Sequence, residues 1–175
     1  MPPFPIRPRT DADRPAVAGL LLATHETDGY PIVLPPDLEA WGAADDVVEA
    51  WVAVDDADDG EVVVGHAVLT EADGGAATPQ WEAATGLDRS ELGVVRRLVV
   101  HRSAQGTGTG AALLATAVDA AHRLGRRPVL DMSDNLTRAG ALYRRAGFVE
   151  VGAYDLQLPG RLLHVLTWVG PPPDR

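Results

Sequence analysis

Glycines alternate with threonines over residues 106–110, between a strand-like run and a helix-like run. Leu98, Val99 and Val100 form a continuous apolar run before them, which is typical of a strand covered on both faces. Glycines at this spacing let the main chain turn tightly and approach a ligand without interference from Cβ atoms. Main-chain N–H groups can then point at an anion where the next helix begins, and the helix dipole also favours negative charge there. The segment therefore predicts a phosphate or diphosphate site built from main chain.

Three kinds of phosphate ligand fit such a loop to different degrees. A P-loop ends in Gly-Lys-Ser/Thr, but Ala111 and Ala112 follow the last glycine and the chain contains no lysine. A dinucleotide loop is the closer alternative, because residues 106–111 match G-x-G-x-x-A and Asp131 ends a later strand-like run. Against it, residues 101–105 separate the strand from the first glycine, and few strand–helix repeats follow. The third kind is an acyl-coenzyme A.

Two blocks of sequence resemble the GNAT superfamily of N-acetyltransferases. Gln105, Gly108 and Gly110 occupy the fixed positions of its Gln/Arg-x-x-Gly-x-Gly/Ala signature. Asn135 and the residues 141–148, Ala-Leu-Tyr-Arg-Arg-Ala-Gly-Phe, resemble the family's penultimate helix and the strand after it. The resemblance covers a cofactor-binding core of about residues 91–154. It implies a single domain over residues 1–175 of the α/β (α+β) class. Helices would flank a mixed, mostly antiparallel central sheet in which two central strands separate.

The resemblance also implies the chemistry. Acetyl-CoA would be the acyl donor, no metal would be needed, and a primary amine of a small molecule or peptide would attack directly in a ternary complex. Main-chain groups of Leu98 and Val100 would bind the pantetheine arm. The N–H of Val99 or Val100 would polarise the acetyl carbonyl, and the N–H groups of the glycine loop would hold the diphosphate. The cofactor-binding set implied in this way is Leu98, Val99, Val100, Gln105, Gly106, Thr107, Gly108, Thr109, Gly110, Ala111, Asn135 and Tyr143.

Two residues are interpreted as catalytic. Tyr143 matches the family's proposed general acid, and a phenol with a pKa near ~10 keeps its proton at neutral pH. Its structural alternative is packing against Phe148. The general base is less well marked, because Val94, Val95, Arg96 and Arg97 fill the approach where relatives often carry a glutamate. We interpret Glu91 as the base, with a plain surface charge as its alternative. The reserves are His66, which also suits a buried core position, His25, and water alone.

The acceptor is only weakly marked. Five residues around the first two predicted helices are candidates for its pocket, since this segment lines the pocket in the resembling family: His25, Glu26, Asp28, Tyr30 and Trp41. Acidic residues crowd the first half of the chain and arginines the second. This distribution favours a phosphorylated cofactor and a cationic acceptor such as a polyamine, aminoglycoside or basic peptide, or it is surface charge alone.

Composition limits the class of protein. The 175 residues are 46% hydrophobic and 23% charged, as expected of a globular protein with a sizeable core. The absence of cysteine excludes disulfides and thiolate chemistry, and a net charge of −10 argues against a nucleic-acid partner. No stretch approaches the ~20 apolar residues of a membrane span, and the start lacks the apolar core of a signal peptide. We therefore expect a cytoplasmic protein without a membrane partner, and GNAT relatives often form homodimers.

Two other functions stay open at this point, namely a non-catalytic acyl-CoA-binding module and a dinucleotide-binding oxidoreductase. Periodicity, caps and breakers predict the elements that must position the site. The predicted helices cover residues 10–24, 37–41, a short piece from 78, 108–124 and 135–146. The predicted strands cover residues 4–8, 49–54, 61–70, 92–100, 128–132, 148–154 and 162–168, and residues 55–60 are predicted to form a hairpin turn.

Overall fold

The structure is a computed structural model that describes residues 4–57 and 60–173. Its strands are β1 (Ile6–Pro8), β2 (Val47–Ala57), β3 (Gly60–Glu71), β4 (Leu92–Val100), β5 (Arg127–Ser133), β6 (Val149–Leu158) and β7 (Arg161–Val169). Its helices are α1 (Arg14–Asp28), α2 (Leu38–Ala43), α3 (Thr78–Thr85), α4 (Thr109–Arg123) and α5 (Thr137–Arg145). The strands form a mixed seven-stranded sheet in the order β1-β2-β3-β4-β5-β7-β6, which confirms the predicted fold class.

The chain folds into two compact units. Unit 1 holds the residues up to Thr70 together with Arg96–Ala117, and unit 2 holds Glu71–Val95 together with the residues from Val118 onwards. Strand β4 and helix α4 each contribute to both units, so neither unit is a continuous piece of chain. The predicted single domain over residues 1–175 stays a prediction.

Unit 1 is built around an apolar cluster between α1 and the strands. Val17, Leu20 and Leu21 recur at helical spacing on α1 and pack with Val52 of β2 and Val99 of β4. Helix α4 packs on β3 at a glycine, because a Cβ at Gly65 would lie 2.8 Å from Leu113 Cδ1. Gly65 therefore lets the N-terminal half of α4 lie close to β3.

Unit 2 is built around two aromatic groups. Trp81 of α3 is 1% exposed and packs with Leu92, Val94 and Val129. Tyr143 of α5 lies against Phe148 and Trp168, with ring centroids 5.9 Å and 6.4 Å away. These contacts fix α3 and α5 on the strands of this unit.

The parallel pairing of β4 with β5 is short. Its register joins Leu92–Val94 to Arg127–Val129, three residues on each strand, all in unit 2. Strand β5 continues to Ser133, where it is paired with β7. The short register is what the predicted separation of the two central strands requires.

The element bounds differ from the sequence predictions at helix α1 and at three strands. Strands β2 and β3 include four residues of the predicted hairpin turn 55–60, and β6 extends four residues beyond its predicted end at residue 154. The first predicted helix stops at residue 24, but residues 25–28 form the last turn of α1, which ends at Gly29 in the left-handed region with φ 72°. Glycine at this position terminates the helix without a steric penalty, so the end of the helix is set one turn later than hydrophobic periodicity alone indicates. Asp58 and Asp59 of the predicted hairpin turn lie outside the described residues. Within the described part of the chain no helix is long and apolar enough to cross a bilayer.

Candidate functional site

The glycine loop of unit 1 leaves open space beside its main chain. Gly106 and Gly108 have φ of 78° and 92°, a region that L side chains rarely adopt, and a Cβ at either would meet no atom within 4 Å. Helix α4 begins at Thr109, and its first turn is closed by the Ala112 N–H, which donates to the Gly108 carbonyl. The first N–H groups of a helix have no acceptor within the helix. The loop therefore has open space beside two glycines, directly before a helix whose first N–H groups have no acceptor within the helix.

The side chains of this loop are used to hold its shape. The Nε2 group of Gln105 donates to Asp28 Oδ2 at 2.7 Å and to the Val100 carbonyl at 3.2 Å. Thr107 Oγ1 donates to the Ala104 carbonyl at 2.6 Å, so Thr109 Oγ1 is the donor in the 2.8 Å bond between the two hydroxyls. Because these bonds tie the loop to the ends of α1 and β4, its conformation is set before any ligand arrives.

The segment of β4 before the loop is irregular at Arg97. Its φ of 51° lies in the left-handed region, which non-glycine residues seldom occupy and which within a strand marks a bulge. The side chain of Val99 is 4% exposed and belongs to the α1 cluster, whereas Leu98 and Val100 are only partly buried. Bulges redirect a strand and free its main-chain groups from pairing, which suits the role predicted for residues 98–100.

A family model settles the class of the protein. The acetyltransferase (GNAT) domain model matches residues 46–150, which is more than half of the chain. The chain belongs to the GNAT acetyltransferase family. It is therefore an acetyl-CoA-dependent acetyltransferase of class EC 2.3.1.-, and the match covers both the glycine loop and Tyr143.

Solved structures agree with this fold over nearly the full chain. A structure assigned as a phosphinothricin N-acetyltransferase has a TM-score of 0.71 at 19% identity, covering 98% of this chain and 99% of that one. One assigned as an acetyltransferase from Salmonella typhimurium, solved with its cofactor acetyl-CoA, has a TM-score of 0.70 at 20% identity and covers 95% and 92%. The ribosomal-protein-alanine N-acetyltransferase of Brucella melitensis has a TM-score of 0.69 at 22% identity and covers 95% and 98%. No protein of curated function gives a significant sequence match.

The loop of this acetyltransferase fits the diphosphate of acetyl-CoA. The open space at Gly106 and Gly108 is the space that Cβ atoms would otherwise fill, and it lies at the N-terminus of a 15-residue helix. Both features favour an anion held by main-chain N–H groups. The exposed Ala111, in the first turn of α4, adds no side chain that would block it.

The two candidates in unit 2 differ in exposure. Tyr143 is 8% exposed, and its ring contacts Phe148 and Trp168, so it has the packing role that was the structural alternative. These contacts involve the ring of Tyr143. Asn135 is exposed in the turn between β5 and α5.

The predicted base Glu91 has a structural task. Its carboxylate accepts the N–H of Asp88 at 3.0 Å, and the Asp88 side chain caps the same 3-10 turn in return. This capping box explains the position of an acidic residue just before β4 without any catalytic role. Glu91 is also exposed.

The first reserve, His66, is fully buried in β3. An N–H of Arg9 lies 3.0 Å from His66 Nε2, and because a guanidinium can only donate, the imidazole nitrogen is the acceptor. Burial, together with the charge of Arg9, lowers the pKa of His66 to about 3. The lone pair of Nε2 is thus already used inside the protein.

The second reserve, His25, lies in the last turn of α1. Its Nδ1 donates to the Pro31 carbonyl at 2.6 Å, so in the neutral ring the lone pair is on Nε2. Of the other acceptor candidates, Glu26 is exposed and Asp28 is bonded to Gln105. Tyr30 and Trp41 do lie together, with ring centroids 6.1 Å apart.

Two arginines of unit 1 were missed as site residues. Arg9 donates to the carbonyls of Gly42 and Ala43, both at 3.0 Å, as well as to His66. The guanidinium carbon of Arg97 lies 4.4 Å from the centroid of the Trp41 ring. For Arg97, the sequence feature that could have indicated a site was the pair Arg96-Arg97 inside an otherwise apolar strand, since a charged side chain there needs a specific partner.

Proposed function

We propose that this acetyltransferase moves the acetyl group of acetyl-CoA to a primary amine by direct attack in a ternary complex. The observation that carries the proposal is the glycine loop, whose left-handed glycines and helix N-terminus face open space. Acetyl-CoA supplies an acetyl group that is activated by its bond to sulfur. The residues of the chain have to bind it, orient it and manage protons.

We assign the binding of the diphosphate to the N–H groups of residues 106–111, and binding of the pantetheine arm to the main chain of Leu98 and Val100. Asn135 is proposed as a further contact of that arm. The N–H of Val99 or Val100 would donate to the acetyl carbonyl oxygen as negative charge develops there. Main-chain donors that are fixed in advance need no reorganisation during the reaction, which is where this kind of catalysis gains most of its rate.

The proton balance defines the roles of the side chains. The amine nitrogen forms a bond to the carbonyl carbon, the bond from that carbon to sulfur breaks, and the sulfur leaves with the electron pair. We propose that Tyr143 Oη donates the proton that the sulfur takes up, and that the amine loses its proton to water. Because the carboxylate of Glu91 caps a turn and the His66 lone pair is occupied by Arg9, neither is retained in our proposal as the base.

The experiment is a thiol-release assay with acetyl-CoA and a panel of primary amines, with the amide product identified by mass spectrometry. We expect one class of amine to give product and free thiol in equal amounts. Thiol release without any amide product would favour the alternative of a non-catalytic acyl-CoA-binding module. Calorimetry with nicotinamide dinucleotides should give no uptake, because the mostly antiparallel sheet lacks the doubly wound fold that binds them.

Tyr143→Phe tests the acid role with the amine found in this way. Removing one hydroxyl should lower kcat roughly 100-fold, the lower end of what general acid catalysis contributes, and leave the Kd of acetyl-CoA unchanged. Since the ring stays, packing against Phe148 and Trp168 is kept, and thermal unfolding serves as the control. An unchanged kcat would remove Tyr143 from the proton transfer.

A further inference from the structure

Arg97 carries a partly buried charge that Asp45 favours at a distance but that forms no ion pair with any described carboxylate. Its Nε is buried and has no hydrogen-bond partner among the described residues, and no carboxylate of residues 4–57 and 60–173 forms an ion pair with it. Burial lowers the pKa of the guanidinium, although Tyr30 and Asp45 act in the opposite direction. A buried donor without an acceptor is costly, so it is expected where a ligand supplies the acceptor.

The surroundings hold this charge in a defined position. The guanidinium carbon lies over the Trp41 ring, and this cation–π contact restrains the charged group. Trp41 in turn lies beside Tyr30, and both pack on the apolar cluster of unit 1. The left-handed φ of Arg97 is a conformation that persists only where neighbours enforce it.

Arg9 shows how the same unit treats an arginine that has a structural task. Its N–H groups are bonded to two main-chain carbonyls just after Trp41 and to the imidazole of His66. This fixes the end of α2 and with it the ring on which Arg97 rests. Arg9 is therefore a positioning residue. The Nε groups of Arg14 and Arg97 both lack an acceptor among the described residues, and of these two Arg97 lies on β4, two residues before Val99.

We propose that Arg97 binds an oxyanion group of the acetyl acceptor, so that the acceptor is an amine that also carries a carboxylate or a phosphonate. This rests on the proposed function, because it places the acceptor near Val99 and Val100. Arg97 precedes Val99 by two residues on the same strand, which is at most about 7 Å along an extended chain and less across the bulge at Arg97. In an acceptor whose amino group and oxyanion are one or a few carbons apart, the amine can reach Val99 while the oxyanion contacts the long side chain of Arg97. The inference is opposite in sign to the cationic acceptor that the acidic first half of the sequence favours.

The test uses matched acceptors that differ in charge. L-Alanine, L-alaninamide and 1-aminoethylphosphonate share the 1-aminoethyl group and differ only in the carboxylate, amide or phosphonate attached to it, and matched sets with larger side chains can be made in the same way. We expect kcat/KM, referred to the neutral amine, to be about 10- to 100-fold higher for the better oxyanion form than for the amide, as expected of a charge-assisted hydrogen bond. The carboxylate and phosphonate forms distinguish the two sources of the oxyanion.

Variants then assign the preference to Arg97. Arg97→Gln should reduce the oxyanion-to-amide ratio to near one, mainly by raising KM, whereas Arg97→Lys should keep part of it. Arg96→Gln is the matched control, since it removes the same charge one residue earlier from a side chain that contacts Thr70. Thermal unfolding verifies that each variant folds, and calorimetry verifies that each binds acetyl-CoA as the wild type does.

The outcomes separate this inference from the proposed function. Preference for neutral or cationic amines, no turnover of any oxyanion-bearing amine, or equal effects of Arg97→Gln and Arg96→Gln would each overturn the role of Arg97. In these cases the acetyltransferase stands if acetyl-CoA binds and some amine is acetylated. Failure to bind acetyl-CoA would instead contradict the proposed function itself.

Discussion

The glycine loop and the cluster formed by Arg9 and His66 lie in the same unit but use their polar groups in opposite ways. In the cluster every bond described above ends inside the protein, on the carbonyls of Gly42 and Ala43 or on the imidazole. In the loop the side chains bond to one another and to the ends of α1 and β4, while Gly106 and Gly108 leave open space beside the main chain. The difference indicates which polar groups support the fold and which are free for ligands.

The comparison of these two regions shows that reactive side chains alone do not identify the site. His66 has the chemistry of a general base, but its lone pair is already engaged and burial keeps it neutral. Gly106 and Gly108 have no functional group, but their conformation opens a site for an anion. Acyl transfer from a thioester needs main-chain donors that are already in place, and the glycine loop is the region of this kind.

Arg9→Met should have the largest effect on stability. It removes the donor from two carbonyls and an imidazole nitrogen while keeping most of the apolar stem, so we expect the free energy of unfolding to fall by about 3 kcal/mol. Urea unfolding measures this. Arg161→Met, which removes an exposed arginine, is the control and should change the free energy of unfolding by less than about 0.5 kcal/mol. Equal effects of the two variants would mean that the cluster does not support the fold.

Ala111→Glu should weaken ligand binding at the glycine loop without lowering the stability of the fold. A carboxylate in the first turn of α4 interacts favourably with the helix dipole, so the protein should be as stable as the wild type or slightly more stable. The same charge opposes a diphosphate at the loop, and we expect roughly 50-fold weaker binding of acetyl-CoA by calorimetry. Ala115→Glu, exposed one turn later on the helix, is the matched control. Similar Kd values for the two variants would place the diphosphate elsewhere.

His66 predicts how stability depends on pH. The folded protein keeps the imidazole neutral down to about pH 3, while the unfolded chain takes up a proton near pH 6.5. Unfolding is therefore favoured as the pH falls below 6.5, by about 1.4 kcal/mol per pH unit and about 2 kcal/mol at pH 5. His66→Gln still offers Arg9 an acceptor and should lose this dependence between pH 7 and 5. If both proteins show the same slope in urea titrations, His66 is not the titrating group.

Glu91→Gln should have the smallest effect. The amide oxygen can still accept the Asp88 N–H, so we expect a loss of less than about 1 kcal/mol in stability and a kcat within about twofold of the wild type. Thiol-release kinetics from pH 6 to 9 provide the measurement. A loss of the rising limb of the pH profile would instead make Glu91 the general base.

Much of the fold was predictable because its signals are local. β4 was predicted with its observed bounds, since an apolar run before a glycine loop has few alternative interpretations. The last turn of α1 was missed because His25–Asp28 is polar, and the helix ends only where Gly29 adopts the left-handed region. The capping box of Asp88 and Glu91 was also missed, because an acidic residue just before β4 suits a catalytic base as well as a helix cap.

The parts of the candidate site that were not predictable depend on contacts distant in sequence. Arg9 reaches His66 across 57 positions, and Gln105 reaches Asp28 across 77. No pattern of sequence spacing predicts such pairs, because they form only when elements distant in sequence pack together. The sequence therefore indicated which residue types could do chemistry, whereas the tertiary contacts decide which of them are occupied elsewhere.

The central claim is that main-chain donors of the glycine loop hold the diphosphate of acetyl-CoA. Calorimetric titration of the wild type with acetyl-CoA and with S-acetylpantetheine, which lacks the diphosphate, tests it most directly. We predict that acetyl-CoA binds at least about 100-fold more tightly, as several charge-assisted hydrogen bonds require, and that Ala111→Glu narrows this difference. Equal affinities for the two compounds, or no uptake of acetyl-CoA by the folded protein, would contradict the claim.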